Sequence, residues 1–240
     1  MKAALAVLAA AMMSSSSAPP AWIGRFTASG DPPSPWRMIP YQGEKPTIYR
    51  VAQVGGRLGL EARVNSSMSL MARPIDINLA EKPILCWRWY VDAPVQKADM
   101  TRRTGDDYAA RVYIAFDMPD SAMSGSTKFK LKMARAMFGR NIPDAAVVYV
   151  WDNRHPVGTA RKSSYTDRSQ LVVAETGAGR AGSWVSERAD AAADFAKAFG
   201  NKPGKPIQLA VASDGDNTKS KGRAAFADLH FVGRDQPCAF

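Results

Sequence analysis

The sequence predicts an all-β protein: a single-domain β-sandwich, jelly-roll-like, with two short covering helices. Three observations carry this. Apolar and polar residues alternate with period two through a series of runs, the pattern of strands with one buried face. Those runs are bounded by clusters of Gly, Pro, Asn and Asp, which turn a chain. No Gly/Ser or Pro-rich linker divides the interior, and the chain is long enough for one sizeable core.

In chain order, alternation places strands at 22–27, 57–64 and 67–72, and then at 84–92, ILCWRWYVD. In a strand the side chains alternate faces, so Leu85, Trp87, Trp89 and Val91 form a core face, and Cys86, Arg88, Tyr90 and Asp92 lie opposite. The strand at 107–117, DYAARVYIAFD, has the same design: Tyr108, Ala110, Val112, Ile114 and Phe116 face one way, and Asp107, Ala109, Arg111, Tyr113 and Ala115 the other. The segment 127–138 reads as a helix, with Phe129, Leu131, Met133, Met137 and Phe138 among basic residues and a stop at Gly139. A core-facing stripe explains it as well as a membrane-surface helix does. Strands follow at 146–152 and 169–175. The glycine-rich TGAGRAGS at 176–183 lacks the Lys-Ser/Thr ending of a phosphate-binding loop, and reads as a hairpin loop into a strand at 183–187. A second helix at 190–199 stops at Gly200, and strands at 206–213 and 224–232 complete the chain.

The expectation for function rests on two arginines inside apolar strands. If 84–92, 107–117, 146–152 and 206–213 share a sheet, its outer face is a shallow surface. That surface carries Arg88, Tyr90, Asp107, Arg111, Tyr113 and Trp151 over a floor of small residues. Two readings stand. In one the face is a ligand groove, with guanidinium forks and carboxylates bonding hydroxyls or acidic groups while aromatic faces stack on sugar rings. In the other the face is covered, and Arg88 or Arg111 is a buried cation paired with Asp107, Asp92 or backbone carbonyls.

The first residues, MKAALAVLAAAMMSSSSA, have the form of a secretory signal peptide: one lysine, a short apolar run, then small residues with cleavage after Ala18. The mature chain is then 19–240, with no further apolar run long enough to span a bilayer, and is expected in the periplasm or secreted. The formal charge is +10. In an exported protein it points to anionic envelope components or acidic polysaccharides rather than nucleic acid, because the basic residues are scattered. Two cysteines, Cys86 and Cys238, can pair in an oxidising compartment; alternatively Cys86 is a small buried apolar side chain.

Several motifs occur in order: WRW at 87–89, GDDYAARVYIAF at 105–116, VVYVW at 147–151, W-x-x-E-R at 184–188 leading into DFAKAFG, and SDGDNT at 213–218. With these the sequence resembles DUF3047, a family of uncharacterised exported bacterial proteins. The resemblance implies export and a β-rich fold, and no reaction. Asp214, Asp216 and Asn217 in SDGDNT offer oxygen donors at a spacing that suits calcium, although Asp-Gly-Asp-Asn is also ordinary turn chemistry. His155 and His230 share no metal-ligand spacing, and no hydrolase nucleophile or zinc motif occurs. Asp106 and Asp107, placed on a strand, point to opposite sides and form no carboxylate pair. The reading that results is an exported ligand-binding sandwich for a glycan or envelope component. The alternatives are a polysaccharide hydrolase or lyase, with acids such as Asp107, Asp152 or Glu187 meeting in space, and a structural envelope protein without a small ligand.

Overall fold

A computed structural model of the chain describes residues 18–138, 142–201 and 204–240. The signal segment therefore lies, apart from Ala18, outside the described residues. The strands are β1 (Ala21–Gly24), β2 (Arg37–Pro40), β3 (Ile48–Val54), β4 (Arg57–Asn65), β5 (Ser69–Pro74), β6 (Ile84–Val91) and β7 (Arg111–Asp117). After helix α1 (Gly125–Phe138) come β8 (Ala145–Asp152), β9 (Ala160–Lys162), β10 (Ser169–Thr176) and β11 (Val185–Asp190). Helix α2 (Ala191–Phe199), β12 (Lys205–Ala212) and β13 (Lys221–Val232) follow.

The strands form two sheets. One has the order β11-β6-β13-β4-β3, with β1 also on β13; the other runs β2-β5-β12-β7-β8-β10-β9. All neighbours are antiparallel except β10 and β8. Among its crossings between the sheets, the chain passes from β4 to β5, from β6 to β7 and from β12 to β13. Because β13 lies between β4 and β6 while β12 lies between β5 and β7, the last crossing pair is wrapped between the first two, as in a jelly roll.

The core between the sheets follows strand parity. Leu85, Trp87, Trp89 and Val91 are all fully buried. Across from them stand Tyr149 and Trp151 of β8, with ring centroids 5.1 Å from Trp87 and 5.7 Å from Trp89 respectively. Each such side chain contributes about 1.5–3 kcal/mol or more through apolar burial. Helix α2 is capped by Asp190, whose side chain accepts from Ala193 N at 3.0 Å. It lays Phe195 on Phe116 at 4.2 Å between centroids, and so closes the open side between the sheets.

The structure departs from several expectations. Strands β6 and β7 belong to different sheets, so Arg88 and Arg111 lie on opposite outer surfaces of the sandwich and share no face. Trp151 points into the core, since β8 is buried on both sides and has no solvent face to mark its parity. The TGAGRAGS segment carries the chain from β10 in one sheet to β11 in the other, so it is a crossover and not a hairpin. In α1 only part of the expected stripe is buried: Leu131 is enclosed while Phe129 is 65% exposed and Met133 47%, beside exposed lysines. The side chains of Met137 and Phe138 lie outside the described residues. Strand β7 also starts later than alternation implies, at Arg111, which leaves Asp106 and Asp107 in the preceding loop. Strands β2, β3 and β9 are additions.

Cys86 and Cys238 form a disulfide with their Cα atoms 5.8 Å apart, tying the C-terminal tail to the outer surface of β6. That tail covers Arg88: the Phe240 ring lies 4.5 Å from its guanidinium.

Candidate functional site

Arg111 is 5% exposed and fully committed to the protein itself. Its Nε donates to Asp214 Oδ1 at 2.9 Å, and its Nη2 donates to Asp214 Oδ2 and to the Asp106 carbonyl. Nη1 stands 3.6 Å from Asp106 Oδ2, and the guanidinium lies 4.4 Å over the Tyr108 ring. Burial alone would lower the Arg111 pKa, but Asp214, Tyr113 and Asp106 outweigh it and hold the proton well above the ordinary value. Asp214 is pushed up to about 8 by burial, against the pull of Arg111. Tyr108 N also donates to Asp214 Oδ1 at 3.1 Å, and Asp214 N returns a bond to the Tyr108 carbonyl at 3.2 Å.

Asp107 grips the far side of the SDGDNT turn. Its carboxylate accepts from Thr218 N and Thr218 Oγ1, both at 2.6 Å, and from Asn217 N at 3.3 Å. Gly215 is required at this turn, because a Cβ there would meet the Ser220 carbonyl at 2.7 Å. Carboxylate oxygens of Asp107, Asp214 and Asp216 lie within 4.8 Å of one another. Asp214 and Asp107 are already engaged as described, and Asn217 instead sends its amide to Tyr165 Oη at 3.2 Å. Asp216 is half-buried, and burial followed by the charge of Asp107 raises it to about 6.

Of the six residues expected to touch a ligand, Asp107, Arg111 and Tyr113 are thus brought together around the start of β7. Arg88 lies on the other sheet, donating to Ser186 Oγ at 3.0 Å and Asp228 Oδ2 at 3.1 Å. Asp228 sits at a β-bulge with φ 54°, which turns its carboxylate out toward Arg88 and Arg57. Tyr90 is buried beside Val54, Ala225 and Trp184.

What the Arg111 network supports is the floor of a cavity. At the end of the sandwich where β4 and β12 finish and β13 begins, a recess of about 560 Å³ is lined by Asp214 and Ala109 below and by Arg63, Asp92, Lys221 and Arg223 at the rim. Arg223 forks onto Asp92, with Nη2 at 2.9 Å and Nε at 3.1 Å from both oxygens, and lies 5.8 Å from the Tyr90 ring. Buried Glu61 accepts from Arg50 at 2.7 Å and from Arg63 at 3.0 and 3.2 Å. Burial works to raise Glu61, but the hydrogen bonds from Arg63 and Arg50 win and hold it below its ordinary value. Lys221 is exposed and makes no ion pair among the described residues. Of these rim residues the sequence singled out only Asp92, as a partner for Arg88 or Arg111; Arg63, Lys221 and Arg223 come from strands whose pairing no local pattern shows.

A separate acid lies within the sandwich. Glu187 of β11 accepts from Trp89 Nε1 at 3.2 Å, and burial, with the charge of Glu175, raises it from 4.5 to about 7. A carboxyl raised on folding stabilises most below its unfolded value and loses that contribution as pH climbs through its folded value. Glu187→Gln keeps the acceptor for Trp89 and removes the charge. It should therefore match wild type near pH 4.5 and exceed it at pH 8 by on the order of 1–2 kcal/mol in urea denaturation. Equal stability of the two proteins at pH 8 would show that Glu187 is not perturbed.

The fold and site define a two-sheet β-sandwich with a cavity at one end that carries charged residues at its rim. The chain belongs to the DUF3047 family, described as "Protein of unknown function (DUF3047)", whose profile matches residues 34–230. No curated protein matches the chain. Among solved structures it is similar to the family 30 carbohydrate-binding module of the cellulosomal cellulase Cel9D-Cel44B of Clostridium thermocellum, at 10% identity and a TM-score of 0.36, over 91% of this chain and 95% of that one.

Proposed function

We propose that this is an exported binding protein that holds a glycan or another envelope component in the end cavity without transforming it. The observation that carries the reading is the recess itself: its volume of about 560 Å³ falls within the range of small-molecule sites, and its floor is fixed by the Arg111–Asp214 fork. Export is supported by the signal-like first residues and by the Cys86–Cys238 disulfide, a bond that persists in oxidising compartments. Among the described residues no helix is long and apolar enough to cross a membrane.

The test is a glycan and envelope-lipid array probed with residues 19–240, followed by the variant Gly222→Trp. Gly222 lines the cavity, and a Cβ there meets nothing within 4 Å, so a large side chain enters open space. The variant should lose binding while its stability stays within about 0.5 kcal/mol of wild type. Undiminished binding would place the ligand elsewhere.

A second reading, a polysaccharide hydrolase or lyase, has one observation in its favour: Glu187 is half-buried beside Glu175 with its carboxyl raised to about 7, a value suited to a general acid. The end cavity is not lined by Glu187, which favours binding over catalysis. Release of reducing ends from an array hit, lost in Glu187→Gln, would reverse that preference.

A further inference from the structure

The charges at the cavity rim do not cancel. Arg50, Arg63 and Arg223 all converge on the single carboxylate of Glu61, the last with Nη1 at 3.8 Å, and Arg223 also takes Asp92. Of these only Arg63 and Arg223 line the recess, where with Lys221 they make three cations against the carboxylates of Asp92 and Asp214; Asp214 is taken by Arg111, and Lys221 makes no ion pair among the described residues. Glu61 is almost fully buried and does not line the recess, so its lip presents Arg63, Arg223 and Lys221. Arg63 and Arg223 present planar forks suited to an oxyanion, and Lys221 presents a free ammonium on the same lip.

The walls add small apolar surfaces from Val64, Ala93, Pro94 and Val95, which suit the apolar face of a sugar ring, and none of the large exposed apolar side chains among the described residues lines the recess. Its polar lining also includes Ser213 and Ser220, of which the Ser213 carbonyl is bonded by Thr47 and the Ser220 hydroxyl by Thr218. The volume also exceeds what a small inorganic anion fills.

We infer that the end cavity takes an anionic saccharide, a hydroxyl-rich ring bearing a carboxylate that Lys221, Arg63 and Arg223 receive. The inference rests on the cavity reading above and adds the class of ligand. The Lys221 ammonium supplies the uncommitted charge, and the two guanidiniums exchange part of their contact with Glu61 and Asp92 for the incoming carboxylate.

The experiment is isothermal titration of residues 19–240 with an oligogalacturonate and with a neutral malto-oligosaccharide of equal length, each against wild type and Lys221→Gln. Lys221 is exposed, so the substitution should leave folding intact, which a thermal melt checks. The expected result is binding of the acidic oligomer that weakens with added salt and falls about tenfold in Lys221→Gln, with the neutral oligomer at least about tenfold weaker. Equal binding of both oligomers, lost in Gly222→Trp but unchanged in Lys221→Gln, overturns the charge assignment and leaves the cavity reading standing. Binding of neither oligomer and of no phosphatidylglycerol vesicle overturns both. Binding of phosphatidylglycerol vesicles that depends on Lys221, without oligosaccharide binding, overturns the saccharide assignment in favour of a lipid head group.

Discussion

Arg111→Met should destabilise the protein by about 3–5 kcal/mol, a fall in Tm on the order of 10 °C for a domain of this size. Removing the guanidinium leaves Asp214, 2% exposed, without the donor that forks onto both its oxygens, and leaves the Asp106 carbonyl without its Nη2 partner. An unpaired buried carboxylate costs more than the pair contributes, so most of the loss is this penalty and not a missing attraction. Two comparisons test the mechanism. Arg111→Met with Asp214→Leu should recover part of the loss, because both polar partners are then gone together. Arg88→Met should cost only about 0.5–1.5 kcal/mol, since Asp228 keeps Arg57 at 2.9 Å and the site is partly open to water. Chemical denaturation of the four proteins reads all three effects. If Arg111→Met unfolds within about 0.5 kcal/mol of wild type, the network is not what holds the cavity floor.

The contrast between these two arginines marks what could be read from sequence. Both sit in strands with one apolar face, and within β6 and β7 the parity holds: Trp87 and Trp89 face the core while Arg88 does not, and Val112 and Ile114 face the core while Arg111 does not; Tyr108, expected on the core face, precedes β7 and lies instead against Arg111. Parity is local, however, whereas sheet membership depends on pairings far apart in the chain. β6 finds β11 and β13, and β7 finds β8 and β12, so identical patterns ended on opposite surfaces. β8 failed in another way. Its eight residues are all buried, so the alternation that would separate Trp151 from Val150 is absent. β3 was missed because Val51 and Val54, three apart, are its buried residues, and β2 because a four-residue edge strand ending in Pro40 has little pattern at all. The rim of the cavity combines Arg63 with Lys221 and Arg223, and no local rule joins residues so distant in the chain.

Reduction of Cys86–Cys238 should cost about 5 kcal/mol, as large an effect as any single substitution here. The bond spans 152 residues, and a cross-link that closes so long a loop removes much of the freedom of the unfolded chain. The folded side adds to this. Released from Cys86, the tail no longer needs to keep Phe240 over Arg88 or Ala239 N on His230 Nε2 at 2.9 Å, so water gains access to the outer surface of β6. Cys86→Ala with Cys238→Ala isolates the cross-link, since alanine leaves no unpaired polar atom in the fully buried position of Cys86. In urea denaturation, wild type with reductant should unfold together with the double variant, at a lower midpoint and with a larger m-value than the oxidised protein, because the open chain exposes more surface. The double variant should not respond to reductant. Should oxidised and reduced wild type unfold at the same urea concentration, the tail is held by its packing alone and the disulfide adds no stability.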